Sequence, residues 1–424
     1  MREGKQMKLI GKLLLGITLL AGGLAGMQSP RVEAASPVRI LLDGYPLNFA
    51  GEPMIVNGTT LVPFRSISEA LGINVTWNQA SKTITAIKGT GAEAIHVQLT
   101  LNSKTAKVNN TSVPLAVAPR SVGGNTLIPL SFFSQQFGAQ VGWDQASRTV
   151  SIASPQERMY TLGFYAISSF SEVGVIPSLD AVAFGWSRIN EKGEFTQTGD
   201  VFRLPQPAGN VTADSLVSDA ASARTLPYLM VFASDGKGEL TRILEDPALQ
   251  QQAITDMVNA ATAKAFQGIM LDFEGLGLTT EKTATRQAFN SFVKELSKQT
   301  RTAGLKLSLA LHPLNSSYKG YDYKTLGALA DEIVIMAYDY FPGNNSGRPQ
   351  PADKVDEAIR LALNETSASK LLLGLNMDSE DQTSVKTLTG LAKRYDLKGI
   401  ALWRLGLIKS EEWNSLKETV EFKK

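Results

Sequence analysis

The stretch Phe266-Gln267-Gly268-Ile269-Met270-Leu271-Asp272-Phe273-Glu274 reads as a buried strand that ends in two carboxylates. Side chains along a strand point to opposite faces with period two. Ile269, Leu271 and Phe273 therefore make one wholly apolar face. Gly268, Met270, Asp272 and Glu274 make the other, which runs from small to apolar to acidic. Two like charges two residues apart on one face repel, so at least one pKa is raised. Such a pair suits acid/base chemistry better than stability. A strand running out into solvent would also end in acids, and the nine residues alone leave that reading open.

Outward from this stretch, residues 156–424 alternate apolar runs with helical patterns. The runs are 160–166, 179–186, 226–233, 268–273, 305–311, 332–338, 371–375 and 399–403. Helix-like segments lie between them at 247–264, 283–303, 323–329, 352–363 and 383–395. Eight strands joined by helices predict an α/β fold, a (β/α)8 TIM barrel over 155–424. A doubly wound open sheet is the alternative, but the glycine-rich first turn is missing. In a barrel, catalytic groups sit where strands end. Here those ends carry Tyr165, Trp186, Asp272, Glu274, Met336, Tyr338, Asp339 and Trp403. Acids and aromatic rings around one mouth suit a sugar: rings stack on its face and carboxylates handle the glycosidic oxygen.

Residues 38–153 contain a duplication with a constant offset. Thr60-Leu61-Val62-Pro63 matches Thr126-Leu127-Ile128-Pro129, and Val75-Thr76-Trp77 matches Val141-Gly142-Trp143. Gln79-Ala80-Ser81-Lys82-Thr83 matches Gln145-Ala146-Ser147-Arg148-Thr149. Each copy reads as a strand with proline, a short helix (66–71 and 131–137), a strand carrying Trp, a turn and a β-branched strand. This gives a small α+β module of two repeats over 36–154. Trp77 and Trp143 could stack on sugars, but an equivalent Trp in both copies is more economically a core anchor.

The start of the chain has Arg2, Lys5, Lys8 and Lys12 before an apolar run from Leu13 to Ala25, then Val32-Glu33-Ala34. A basic start, a short apolar core and a small-residue exit predict a secretory signal peptide over 1–35. An uncleaved anchor is the other possibility, disfavoured by the short core. The expected location is therefore outside the membrane. Lys and Arg number 42 against 40 Asp and Glu, a net charge of +2, which gives no reason to invoke nucleic acid. There is no cysteine, which excludes disulfides, thiolate catalysis and cysteine-ligated metal. His96 and His312 are the only histidines, and each is expected to be structural.

Residues 38–153 resemble the copper amine oxidase N-terminal-like (stalk) domain through the Leu-Val-Pro-x-Arg-Ser-x-x-Glu-x-Leu-Gly core at Leu61 to Gly72. The resemblance implies a spacer or a wall-associated adhesion module of a Gram-positive bacterium, with no metal implied by the name. Residues 158–410 resemble glycoside hydrolase family 18, the chitinase-like family, on three motifs. These are Gly268-Ile269-Met270-Leu271-Asp272-Phe273-Glu274, Met336-Ala337-Tyr338-Asp339, and Trp403 ending the eighth strand. The compact form looks most like the spore-cortex and peptidoglycan N-acetylglucosaminidase branch. Too few residues separate strands seven and eight for an inserted cleft wall, so the cleft should be open.

The resemblance implies cleavage of β-1,4 linkages next to N-acetylglucosamine, in peptidoglycan, spore cortex or chitin. The mechanism implied is retaining and substrate-assisted, without metal or organic cofactor. Glu274 would be the acid/base, Asp272 would orient the substrate acetamido group, and Tyr338 would donate to its oxygen. Asp339, Trp403, Tyr165, Trp186 and Met336 would bind substrate. Two departures stand out: Gln267 and Met270 occupy positions where the family pattern has acids. Met270 cannot share a proton with Asp272, so activity or pH optimum should differ. The alternative is a weak or inactive, chitinase-like protein of glycan binding or wall adhesion.

Overall fold

The computed structural model describes residues 38–341 and 347–424. The expected signal segment lies outside the described residues. Among the described residues, no helix is long and apolar enough to cross a membrane.

Eight parallel strands close into a barrel: β1 (Tyr160–Tyr165), β2 (Ala181–Ile189), β3 (Leu226–Ser234), β4 (Gly268–Glu274), β5 (Lys306–Leu311), β6 (Glu332–Ile335), β7 (Leu371–Asn376) and β8 (Gly399–Trp403). β1 pairs with both β2 and β8, which removes the open sheet. The interior holds Leu162, Phe164, Ala181, Ala183, Tyr228, Met230, Met270, Ala310, Val334, Met336, Leu372 and Ala401. Large and small side chains share that space, as a filled barrel of this size requires. Ile269, Leu271 and Phe273 face the other way, into the layer under the helices. The alternation expected of β4 is thus the boundary between the two cores.

Helices Pro247–Ala263, Lys282–Thr302, Tyr323–Leu329, Ala352–Leu363 and Gln382–Arg394 fall where the periodicity puts them. Three further helices, Ala213–Ser222, Glu239–Glu245 and Ser410–Thr419, complete the outer ring. After β1 the ring holds a 3-10 segment, Ile167–Ser178, with Pro177 inside it. Proline removes a backbone donor and clashes with the preceding turn, so a regular helix is disfavoured there. Strand six departs from expectation. It was expected to reach Tyr338 but ends at Ile335. Beyond it, the Ala337 N–H donates to the Ile335 carbonyl at 2.9 Å and the Tyr338 N–H to the Met336 carbonyl at 2.8 Å. These i to i+2 bonds curl the chain out of the sheet.

The duplicated segment forms a β-rich module of three small sheets with two short helices, Phe64–Ala70 and Leu130–Gln136. The copies meet strand to strand, Leu127 opposite Pro63 and Ile128 opposite Val62. The core-anchor expectation for the tryptophans fails in the second copy. Trp77 is half-buried against the module core, whereas Trp143 is 43% exposed. Equivalent sequence placed the rings on equivalent strands, but the neighbours that cover them differ.

The module rests on helix Gln382–Arg394. Asp43 nests against Gly390, where an added Cβ would sit 2.4 Å from the Asp43 Cβ. Asp43 is fixed there because its Oδ1 accepts from the Ser154 N–H at 2.8 Å. The Arg394 guanidinium lies 5.4 Å from the Tyr45 ring centre, and Lys393 Nζ donates to the Pro155 carbonyl at 2.7 Å. Lys393 and Arg394 are in the last turn of a helix that leads into β8, so this contact lies toward the amino-terminal end of the barrel, away from the mouth. Gly to Ala inside a helix ordinarily stabilises by about 1 kcal/mol. Here the sign should reverse. Gly390→Ala is expected to cost about 1–3 kcal/mol by overpacking against Asp43. Thermal melts check it, and a raised melting temperature would refute the tight contact.

Candidate active site

The site is built from the top of β4 outward. Asp272 is 2% exposed and Glu274 is half-buried, both on the face that continues Met270. Their carboxyl groups hydrogen-bond to each other. The Asp272 Oδ1 is buried with no protein partner. Burial raises the Asp272 carboxyl well above its ordinary range, and the Glu274 charge and hydrogen bond add to it. Glu274 is pushed up to about 7, first by burial and then by the charge of Asp339. A carboxylate stripped of water and set beside another resists ionising, so the pair holds protons to higher pH than isolated carboxyl groups do. Below them Met270 is fully buried and apolar, and offers no third acid.

The curl after β6 brings Tyr338 and Asp339 to the same place. Asp339 has φ +63, in the left-handed region that Asp enters more readily than most residues. Tyr338 has its hydroxyl held well above the usual phenol range, by burial first and then by Asp272, Glu274 and Asp339. Its ring passes over Gly374 of β7, where an added Cβ would lie 3.2 Å from the Tyr338 Cε1. Trp403, half-buried at the end of β8, packs edge-on against Phe164 with centroids 5.1 Å apart. Met336 is 3% exposed and belongs to the barrel interior beneath this group. The structure thus brings together Asp272, Glu274, Tyr338, Asp339, Met336 and Trp403.

Tyr165 and Trp186 do not join them. Tyr165 is 2% exposed and Trp186 is fully buried in the helix-facing core. Trp186 packs on Phe184 at 4.3 Å and on Tyr165 at 6.0 Å. Both expectations stopped one residue from the correct parity. On β1 the inward aromatic is Phe164, and on β2 the inward positions are Ala181 and Ala183. Counting alternation back from the strand interior would have separated them.

Phe202, not singled out from sequence, and His312, expected only as a structural residue, also line this end. Phe202 stacks on Phe232 at 4.2 Å and 15°, beside Gly185. His312 follows β5, one alternation beyond the inward Ala310 whose backbone pairs with Asp272. It stacks on Tyr318 at 3.9 Å. Its Nε2 is buried without a protein partner, and burial pushes its pKa down to about 4. His312 is therefore neutral at pH 7.

The sequence model of the glycosyl hydrolases family 18 matches residues 163–418, more than half of the chain, and so spans every one of these strand ends. The chain belongs to glycosyl hydrolase family 18. The copper amine oxidase N-terminal domain matches residues 41–152. Among curated relatives, the cortical fragment-lytic enzyme of Bacillus subtilis (strain 168) is 32% identical over 166 residues, 37% of this chain and 37% of that protein. The match thus spans little more than a third of the relative's length. The barrel also resembles a class V chitinase from Pseudomonas fluorescens Pf-5, with TM-score 0.53 and 22% identity over 61% of this chain and 99% of that one. The Bacillus cereus spore cortex-lytic enzyme gives TM-score 0.51 and 18% identity over 63% of this chain and 76% of that one. At these identities the likeness is one of fold.

The raised Glu274 pKa has a consequence for stability. An unfolded Glu releases its proton near 4.5 and the folded one near 7. Between those values the folded protein holds a proton that the unfolded chain has lost. Stability therefore falls as pH rises through that window and levels off above it. Glu274→Gln removes the penalty. The variant should melt higher than the parent at pH 8, by on the order of 1–3 kcal/mol, and equally at pH 4. Paired melts at both pH values check the difference.

Proposed function

We propose that this family 18 barrel is a retaining glycosidase that cleaves β-1,4 linkages next to N-acetylglucosamine in a wall-type polymer. The observation that carries the reading is the buried, hydrogen-bonded Asp272–Glu274 pair at the mouth it shares with Tyr338. Glu274, with a pKa near 7, is placed between acid and base duty. It would protonate the leaving glycosidic oxygen and then take a proton from the incoming water. Family 18 uses the substrate's own acetamido oxygen as nucleophile in place of a second enzyme carboxylate. Asp272 would accept from the acetamido N–H and stabilise the positive charge that develops on it. Tyr338 would donate to the acetamido oxygen and hold it under the anomeric carbon. Trp403 would offer its ring face to the sugar, with Asp339 on the neighbouring hydroxyls.

Peptidoglycan or spore cortex is favoured over chitin as substrate. The support is the named cortical fragment-lytic relative and the short β7–β8 connection, which holds one helix and no inserted wall. Secretion to the wall or spore envelope of a Gram-positive cell rests on the basic-then-apolar start of the chain. One observation favours a second reading, glycan binding with weak or no hydrolysis: Met270 leaves Asp272 without an acidic neighbour below.

Mass spectrometry of products from peptidoglycan and from chitin oligomers separates the two. The glycosidase reading expects new reducing-end N-acetylglucosamine from the parent, and a loss of about 10²–10⁴ in kcat for Glu274→Gln. Tyr338→Phe should cost about 10²–10³, the usual effect of removing one donor to developing charge. The basic limb of kcat/KM should fall near pH 7, where Glu274 loses its proton. Binding without products from either glycan would leave the second reading.

A further inference from the structure

The exposed Trp143 lies in a groove of about 350 Å³ on the duplicated module. Its indole N–H donates to Gln145 Oε1 at 2.9 Å, which holds the ring in one orientation while leaving 43% of the residue open. The groove crosses the seam between the copies. Ile55, Thr59 and Thr60 come from the first copy, and Ser131, Phe132 and Trp143 from the second. Ile55 is itself 40% exposed.

The duplication supplies an internal comparison. Trp77 makes the same bond to its own Gln79, at 2.7 Å, yet packs against the module core. In the first copy the positions of Ser131 and Phe132 hold Arg65 and Ser66. The fold therefore does not require an open Trp or a neighbouring Phe, and the uncharged aromatic groove belongs to one copy only. Leaving such a ring in water forfeits its burial energy, which marks a surface made for contact.

We propose that this groove is a saccharide-binding site for a neutral sugar unit of the same polymer that the barrel cleaves. The choice of polymer rests on the glycosidase reading above. No residue lining the groove is ionisable, which matches an uncharged ring and not an anionic headgroup or an acidic peptide. Trp143 and Phe132 present apolar faces to the C–H face of a pyranose. Thr59, Thr60, Ser131 and Gln145 supply neutral donors and acceptors for its hydroxyl and acetamido groups. The volume sits at the small-ligand end of binding sites. Attached to the barrel through helix Gln382–Arg394, the site would hold polymer while the cleft works on another stretch.

The test is co-sedimentation of full-length protein with insoluble chitin and with purified peptidoglycan, in a Glu274→Gln background that spares the polymer. Adding Trp143→Ala should weaken apparent binding to at least one polymer about five- to tenfold, and Trp143→Phe should retain most of it. In the active background, Trp143→Ala should leave turnover of short soluble oligosaccharides and the melting temperature unchanged. Polymer binding unaltered by Trp143→Ala would overturn the site, as would a loss that tracks a lowered melting temperature. A wild type without turnover would remove the barrel reading alone, since sedimentation that depends on Trp143 would still support the groove.

Discussion

Two carboxyl groups on one face of one buried strand cannot both be charged, and the barrel is arranged around that constraint. Asp272 and Glu274 follow Met270 up the inner face of β4, where water is excluded and a lone Asp272 oxygen has no partner. A buried polar atom of this kind costs stability unless its proton stays on. The barrel core below provides the low dielectric, and Asp339 provides the negative charge that pushes Glu274 toward neutrality. Stability is given up at the place where the two carboxyl groups meet.

The rest of the site depends on where strand six stops. A strand extended to Tyr338 would alternate that side chain with its neighbours along the sheet. Ending at Ile335, the chain curls twice and turns over at Asp339, which carries Tyr338 across Gly374 to the carboxyl pair. Closure of β1 on β8 then sets Phe164 against Trp403 and completes the mouth. Five strands, β1, β4, β6, β7 and β8, thereby meet at one mouth.

The module shows how duplication loosens a constraint. Both copies keep the Trp-to-Gln hydrogen bond, so each ring is oriented by its own strand and turn. What covers each ring is supplied by the other parts of the fold, and there the copies diverge. The contact with the barrel is likewise made by single residues, Asp43 against Gly390 and Arg394 over Tyr45, not by a broad apolar face. It joins two cores that remain separate clusters.

Strand count, barrel class, the duplication and the acid pair were all legible in the chain, because each is local. Alternation along β4, helical periodicity between strands and a constant repeat offset need no knowledge of distant neighbours. Glu274, Asp272, Tyr338, Asp339 and Trp403 were reached this way and do converge. Tyr165 and Trp186 were not separable from mouth residues by strand-end position alone, since one step along a strand moves a side chain from the mouth to the core. Phe202 and the open face of Trp143 carried no local signal, and nothing local set His312 beside the mouth. Their roles depend on which chain segments come to rest beside them, and that is decided by barrel closure, by the bend after Ile335 and by the packing of one repeat on the other. The sequence by itself determined the fold and the placing of two mutually repelling acids on one strand face, because strand periodicity and carboxylate repulsion act over a few residues. Only the tertiary structure decided what comes to rest beside each ring, as with Phe202 on Phe232 and the open face of Trp143, because that depends on contacts between residues far apart in the chain.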